Sequence, residues 1–117
     1  MTSFTDSLRG YGHRIYERDD YICRYCGVDG KKSFDVWLHL SVDHLLPVGH
    51  PDRENDDFKV TACRFCNEAD NQYFTKYGLT FDGLTPDQLV AQRLLYVQKV
   101  REEYRRFWEE NVSTFKE

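Results

Sequence analysis

No stretch of this 117-residue chain is apolar for long enough to cross a bilayer, and the opening Met1–Asp6 has neither the basic start nor the apolar run of a signal peptide. The expectation is a cytoplasmic protein. A basic excess is missing as well: 16 Lys and Arg stand against 20 Asp and Glu, a formal charge of −4. That balance excludes a strong, non-specific binder of nucleic acid with a high isoelectric point. It leaves room for a local basic patch, and acidic residues at a metal site are neutralised by the metal they hold. Internal repeats and low-complexity segments are absent, so the two copies of Cys-x-x-Cys form a paired ligand set and not a duplicated domain. The length suits a single domain, 1–117, whose modest core a structural metal would help considerably.

Cysteine is scarce, and all four residues fall in the pairs Cys23/Cys26 and Cys63/Cys66. A reducing compartment disfavours disulfides and leaves metal binding or redox chemistry as reasons for paired thiols. Thiolate is a soft ligand, and two such pairs can present four sulfurs in the tetrahedron of a closed structural zinc site. The segment from Arg24 to Arg64 is too long for one zinc-finger hairpin and suits a clamp between two distant knuckles. Gly27 permits the tight turn of the first. Two disulfides, an iron–sulfur cluster and a redox dithiol are the competing readings.

The periodicity predicts a short helix from about Tyr11 to Arg18, with Tyr11, Ile15 and Arg18 on one face and Gly10 and Gly12 limiting its start. Val36, Leu38, Leu40 and Val42 alternate with Trp37, His39, Ser41 and Asp43, the period of a half-buried strand; a helical turn capped by Ser33 is the alternative for its beginning. A long loop follows over 45–57, then a short strand from Phe58 to Ala62 and a helix from Asn67 to about Tyr77, ending near Gly78. Thr85, Pro86 and Gln88 form a capping box with proline at the first helical position, and Leu84 with Leu89 forms a staple. They start a helix running to about Asn111, the main part of a C-terminal extension over 84–112 that follows a core over 11–77. Its stripe of Val90, Leu94, Val97, Tyr104 and Trp108 either packs on the core or forms a dimer surface.

Asp43 and His44 adjoin at the end of the predicted strand, where neighbouring side chains normally point to opposite faces. Joint work by the two requires the chain to twist into the loop, which Leu45-Leu46-Pro47 permits. A carboxylate suits magnesium or manganese, and a neutral imidazole is a good base near neutral pH. Asn67 can supply a second oxygen ligand or cap its helix, and Asp70 and Asn71 lie one turn further along. His39 is either a neighbour of the site or an exposed strand residue, and His50 is either a phosphate or metal contact or a turn residue. Arg14, Arg18, Arg24, Lys31, Lys32, Arg53 and Arg64 form either a phosphate-binding rim around the knuckles or a solvated surface. Arg24 and Arg64 occupy equivalent places in the two pairs, which predicts that they lie close together.

Three segments together resemble the HNH endonucleases: Arg18-Asp-Asp-Tyr-Ile-Cys-Arg-Tyr-Cys-Gly27, Leu40-Ser-Val-Asp-His-Leu-Leu-Pro47 and Val60-Thr-Ala-Cys-Arg-Phe-Cys-Asn67. The resemblance spans roughly Arg14 to Asn71, about half of the chain. It implies an α+β fold: a small zinc-stabilised ββα-metal, treble-clef-like core with an N-terminal helix and a long C-terminal one. It further implies a phosphodiesterase acting on duplex DNA, in which Asp43 and Asn67 hold a magnesium or manganese ion and His44 takes the proton from the attacking water. The family's middle asparagine, which holds the loop against the base, maps onto Asn55, with Asp57 or a backbone group as rivals. The C-terminal helix would then serve a homodimer or a partner protein. A non-catalytic, zinc-bound treble-clef module for nucleic-acid or protein interaction is the alternative.

Overall fold

The computed structural model of the protein describes residues 10–69 and 80–113. Helix α1, Gly10–Arg18, matches the predicted span closely and turns Ile15 and Tyr16 into the interior. Its end is a left-handed step at Asp20 and Tyr21, with φ of 57° and 61°, from which the Tyr21 N–H returns to the Tyr16 carbonyl at 2.8 Å. That reversal satisfies a carbonyl that the helix end would otherwise leave bare.

The expected strand from Val36 does not begin there. Residues Phe34–Leu38 form a short helix, α2, because the Ser33 hydroxyl accepts from the Val36 N–H at 3.2 Å and Asp35 lies in the first turn. A local cap outweighs the alternating pattern, and strand β1 is confined to Leu40–His44. It pairs antiparallel with β2, Lys59–Cys63, in the register Leu40 to Cys63 and His44 to Lys59. Phe58, expected to open β2, instead ends a 3-10 turn, Asp56–Phe58, whose cap is Asn55.

Helix α3, Arg64–Glu68, begins three residues before the predicted start at Asn67, since Cys63 serves as its cap through Sγ. The predicted remainder of that helix, with Asp70, Asn71 and Gly78, lies outside the described residues. Helix α4 spans Pro86–Phe107 and continues as a π-helical turn over Trp108–Val112. Its start is as expected: the Thr85 hydroxyl accepts from the Gln88 N–H at 3.2 Å, and the Gln88 side chain accepts from the Thr85 N–H at 2.8 Å. Among the described residues no helix is long and apolar enough to cross a membrane.

The protein is thus a small α+β fold with a two-stranded sheet and a long C-terminal helix. Helix α1 is tied to the sheet by Thr61, whose N–H donates to Asp19 at 2.8 Å and whose hydroxyl donates to the Ile15 carbonyl at 3.2 Å. One contiguous core joins Cys23, Tyr25, Leu45, Leu46, Val60, Ala62 and Cys66 to Leu89, Val90 and Val97 of α4. The stripe of α4 changes its exposure along the helix. Leu89 to Val97 pack on the core, whereas Tyr104 and Trp108 are 64% and 47% exposed.

Gly30 packs against this core so closely that a Cβ built on it would stand 2.9 Å from Leu40 Cδ1 and 3.2 Å from the Tyr21 carbonyl oxygen. Because Leu40 is fully buried, it has no room to retreat. Gly30→Ala is expected to lose about 1–3 kcal/mol, the usual cost of overpacking, and urea unfolding of the two proteins measures it.

Candidate functional site

The two knuckles are built alike. In each, the second cysteine's N–H donates to the first cysteine's sulfur at 3.5 Å: Cys26 to Cys23, and Cys66 to Cys63. The first knuckle is a small hairpin in which Ile22 bridges to Asp29, Gly27 has φ of 78°, and the Gly27 N–H reaches the Cys23 carbonyl at 2.9 Å. The Arg24 N–H donates to the Thr61 carbonyl at 3.0 Å, so this hairpin hangs from β2, the strand that ends in the second knuckle.

All four sulfurs lie within 4.8 Å of one another, and the thiols are free. The Cys26 to Cys63 distance is 3.8 Å. A regular zinc tetrahedron with Zn–S bonds of about 2.3 Å has sulfur–sulfur edges of about 3.8 Å. The donor set therefore fits zinc in number, type and spacing.

Hydrogen bonds from Cys26, Cys63 and Cys66 favour the Cys23 thiolate, and that anion with its neighbours pushes the Cys66 thiol up. Four thiolates cannot coexist this closely unless a cation neutralises them. Helix α4 contributes a charge here: an Arg101 N–H donates to Cys66 Sγ at 3.9 Å while the guanidinium lies 5.4 Å from the Phe65 ring centre. The sequence reading assigned Arg101 no role.

Asp43 is placed otherwise than expected. Strand geometry continues through His44, so no twist brings the two side chains together, and Asp43 is only 5% exposed. Its Oδ2 accepts from the Tyr25 hydroxyl at 2.5 Å, and both oxygens accept from Arg93 Nη1 at 3.0 Å. The same guanidinium donates to the His44 carbonyl at 3.0 Å and the Leu45 carbonyl at 3.1 Å. Burial raises the Asp43 carboxyl, while Arg93 and Tyr25 pull it back. An oxygen pair committed in this way offers no site for magnesium or manganese.

Asn67 is neither a helix cap nor joined to Asp43. It sits within α3 and donates from Nδ2 to Ser41 Oγ at 2.9 Å and to the Val42 carbonyl at 3.3 Å, tying that helix to β1. Asn55 does not hold His44: its side chain accepts from the Asp57 N–H at 2.9 Å as the cap of the 3-10 turn. Asp57 participates through its backbone alone. What fixes the chain at His44 is Arg93 on its carbonyl and the bond from the Leu45 N–H to the Phe58 carbonyl at 2.9 Å.

His44 faces the long loop, its Nε2 3.5 Å from Glu54 Oε1. Partial burial lowers its pKa, as do the charges of Arg53 and Lys59, while Glu54 acts in the opposite direction. The net shift favours the neutral ring, the form a proton acceptor needs.

The remaining candidates have local roles. His39 closes α2, with Nδ1 2.6 Å from the Asp35 carbonyl, and His50 packs edge-on to Phe81 at 5.7 Å. Arg14 pairs with Asp56, Arg18 with Asp19, Lys31 with Asp20 and Asp29, and Arg53 with Glu54. Arg24 turns to Asp19 and Asp87, while Arg64 turns to Glu68, so the equivalent positions serve different acids. This rim, Lys32 apart, is an ion-paired surface. Tyr25, Glu54, Lys59, Arg93 and Arg101 emerge only from the structure. For Arg93 and Arg101 a signal existed, since both interrupt the apolar stripe of α4 at helical spacing. Compared with protein-family models, curated proteins and solved structures, the chain matches none.

Proposed function

We propose that the chain is an HNH-type endonuclease that hydrolyses DNA phosphodiester bonds with His44 as general base. The observation that carries this reading is the partly exposed His44 at the end of β1, facing the loop that returns to β2 and α3. The strand–loop–strand–helix order, the knuckle hairpin on β2 and the four clustered cysteines support a treble-clef-like core held by zinc. In the step assigned to His44, an imidazole lone pair takes a proton from water as its oxygen bonds to phosphorus and the bond to the leaving ester oxygen breaks. The proton then passes to that oxygen or to solvent.

A catalytic magnesium or manganese ion does not fit the residues as they stand, because Asp43 is buried against Arg93 and Tyr25. The chemistry is ascribed to His44 and its neighbours. That same arrangement favours the second reading, a zinc-tied interaction module without activity. Nicking of supercoiled plasmid, with magnesium, with manganese and with chelator, decides between them. Wild type is expected to nick, and His44→Ala to lose about 10²–10⁴ in rate. Absence of nicking under every ion, or equal nicking by His44→Ala, leaves the interaction module.

A further inference from the structure

Lys59, Arg53 and the His44 ring converge on one exposed carboxylate, Glu54. Glu54 Oε1 is 3.2 Å from Lys59 Nζ and 3.5 Å from His44 Nε2, and Oε2 is 3.2 Å from Arg53 Nη1. The participants differ sharply in exposure: the Glu54 side chain is 70% exposed, the Lys59 side chain only 8%. Lys59 stands directly across the sheet from His44 in the strand register, and Asp56 adds a second, longer contact to it at 3.7 Å. Arg53 keeps its Nε buried with no hydrogen-bond partner.

As a device for stability this network is poor. An ion pair with a largely exposed carboxylate contributes little, whereas burying an ammonium group is costly, and a buried N–H left unpaired adds to that cost. As a device for binding an anion it makes sense. The groups that lose solvent here, the Lys59 ammonium and the Arg53 Nε, are donors held by β2 and the loop, whereas Glu54 sits on a solvent-facing turn. Arginine and lysine together offer a directional fork and a point charge, the pair suited to phosphate oxygens.

We propose that Glu54 holds the place of a substrate phosphate, and that a phosphate group displaces its carboxylate to bind among Lys59, Arg53 and His44. The assignment of that phosphate to a scissile diester rests on the nuclease reading; the anion site itself does not. Bound there, the phosphate lies against the His44 ring, with two cations positioned to stabilise the charge that develops on its oxygens. Glu54 keeps the buried Lys59 paired when the site is empty.

The test is a titration of the full-length, zinc-loaded protein with inorganic phosphate and, separately, with dimethyl phosphate, followed by the NMR shifts of the His44 ring and the Lys59 amide. Wild type is expected to bind weakly, with both signals moving. Glu54→Gln removes the competing carboxylate and should bind about fivefold tighter, the size expected for one exposed ion pair. Arg53→Gln, its fold checked by circular dichroism, should bind at least about fivefold weaker. Lys59→Met is expected to abolish binding wherever circular dichroism shows it folded. Equal affinity in wild type and Glu54→Gln, or shifts confined to residues away from His44, overturns the proposal. Phosphate binding without plasmid nicking retains the anion site and rejects the nuclease; nicking that is indifferent to Arg53→Gln and Glu54→Gln rejects the site and retains the nuclease.

Discussion

Replacement of Cys66 by serine is expected to unfold the protein through the N-terminal half of α4 as well as through the knuckles. Structural zinc in small peptides binds with about 10–16 kcal/mol, comparable with the whole of the roughly 5–15 kcal/mol that typically separates a folded domain from its unfolded state. Cys23 and Cys66 belong to the main apolar cluster, in company with Leu89, Val90 and Val97, so a broken centre opens the core itself. Serine keeps the size but not the soft thiolate, and three sulfurs leave the tetrahedron incomplete. Chelation of the wild-type protein should produce the same loss. Far-UV circular dichroism and a thermal melt before and after chelation measure it, with zinc determined in the native protein. A zinc content near zero, or a melt that ignores both chelator and Cys66→Ser, would remove the zinc assignment.

The second large effect is expected at Arg93. Arg93→Leu leaves a carboxylate that is 5% exposed with only the Tyr25 hydroxyl for company. Removing one partner of a buried ion pair costs about 3–5 kcal/mol, against which an apolar replacement of both partners is often neutral. Arg93→Leu combined with Asp43→Leu is therefore expected to recover much of the loss, and a urea double-mutant cycle reads the coupling. The pH dependence has a definite sign. Burial already raises the Asp43 carboxyl, so the fold favours its protonated form; that contribution is present at low pH and lost as pH rises through the folded pKa. Deleting Arg93 pushes the carboxyl further up. The deficit of the single variant should thus be largest at neutral pH and shrink on acidification. A deficit that is flat with pH would show that Asp43 is not the group left unpaired.

Features specified within a few residues could be read directly from the chain. The two cysteine pairs, the turn glycine at Gly27 and the capping box at Thr85 each depend on groups at most four positions apart, and the structure has them in place. At Val36 two local signals competed, a strand alternation and a serine cap, and the capped helical turn kept as the alternative is the one that forms, through the hydrogen bond to the Ser33 hydroxyl. The site was less legible because its partners are remote. Asp43 and Arg93 are separated by 50 positions, and a doublet such as Asp43-His44 looks the same whether its carboxylate faces an ion or an arginine. Likewise, Glu54 reads as one charge among many in a polar loop until Lys59 and Arg53 are seen around it.

Arg93 and Arg101 lie two turns apart on α4, one against a buried carboxylate and the other against a thiolate cluster that remains doubly negative when it holds zinc. This has a consequence for synthesis on the ribosome. When the first two thirds of the chain has emerged, its ligands can already capture zinc, yet two concentrations of negative charge still await their cations. With zinc bound, that nascent fold is electrostatically incomplete until Arg93 and Arg101 have themselves left the exit tunnel. Synthesis thus allows metal capture before the docking of α4.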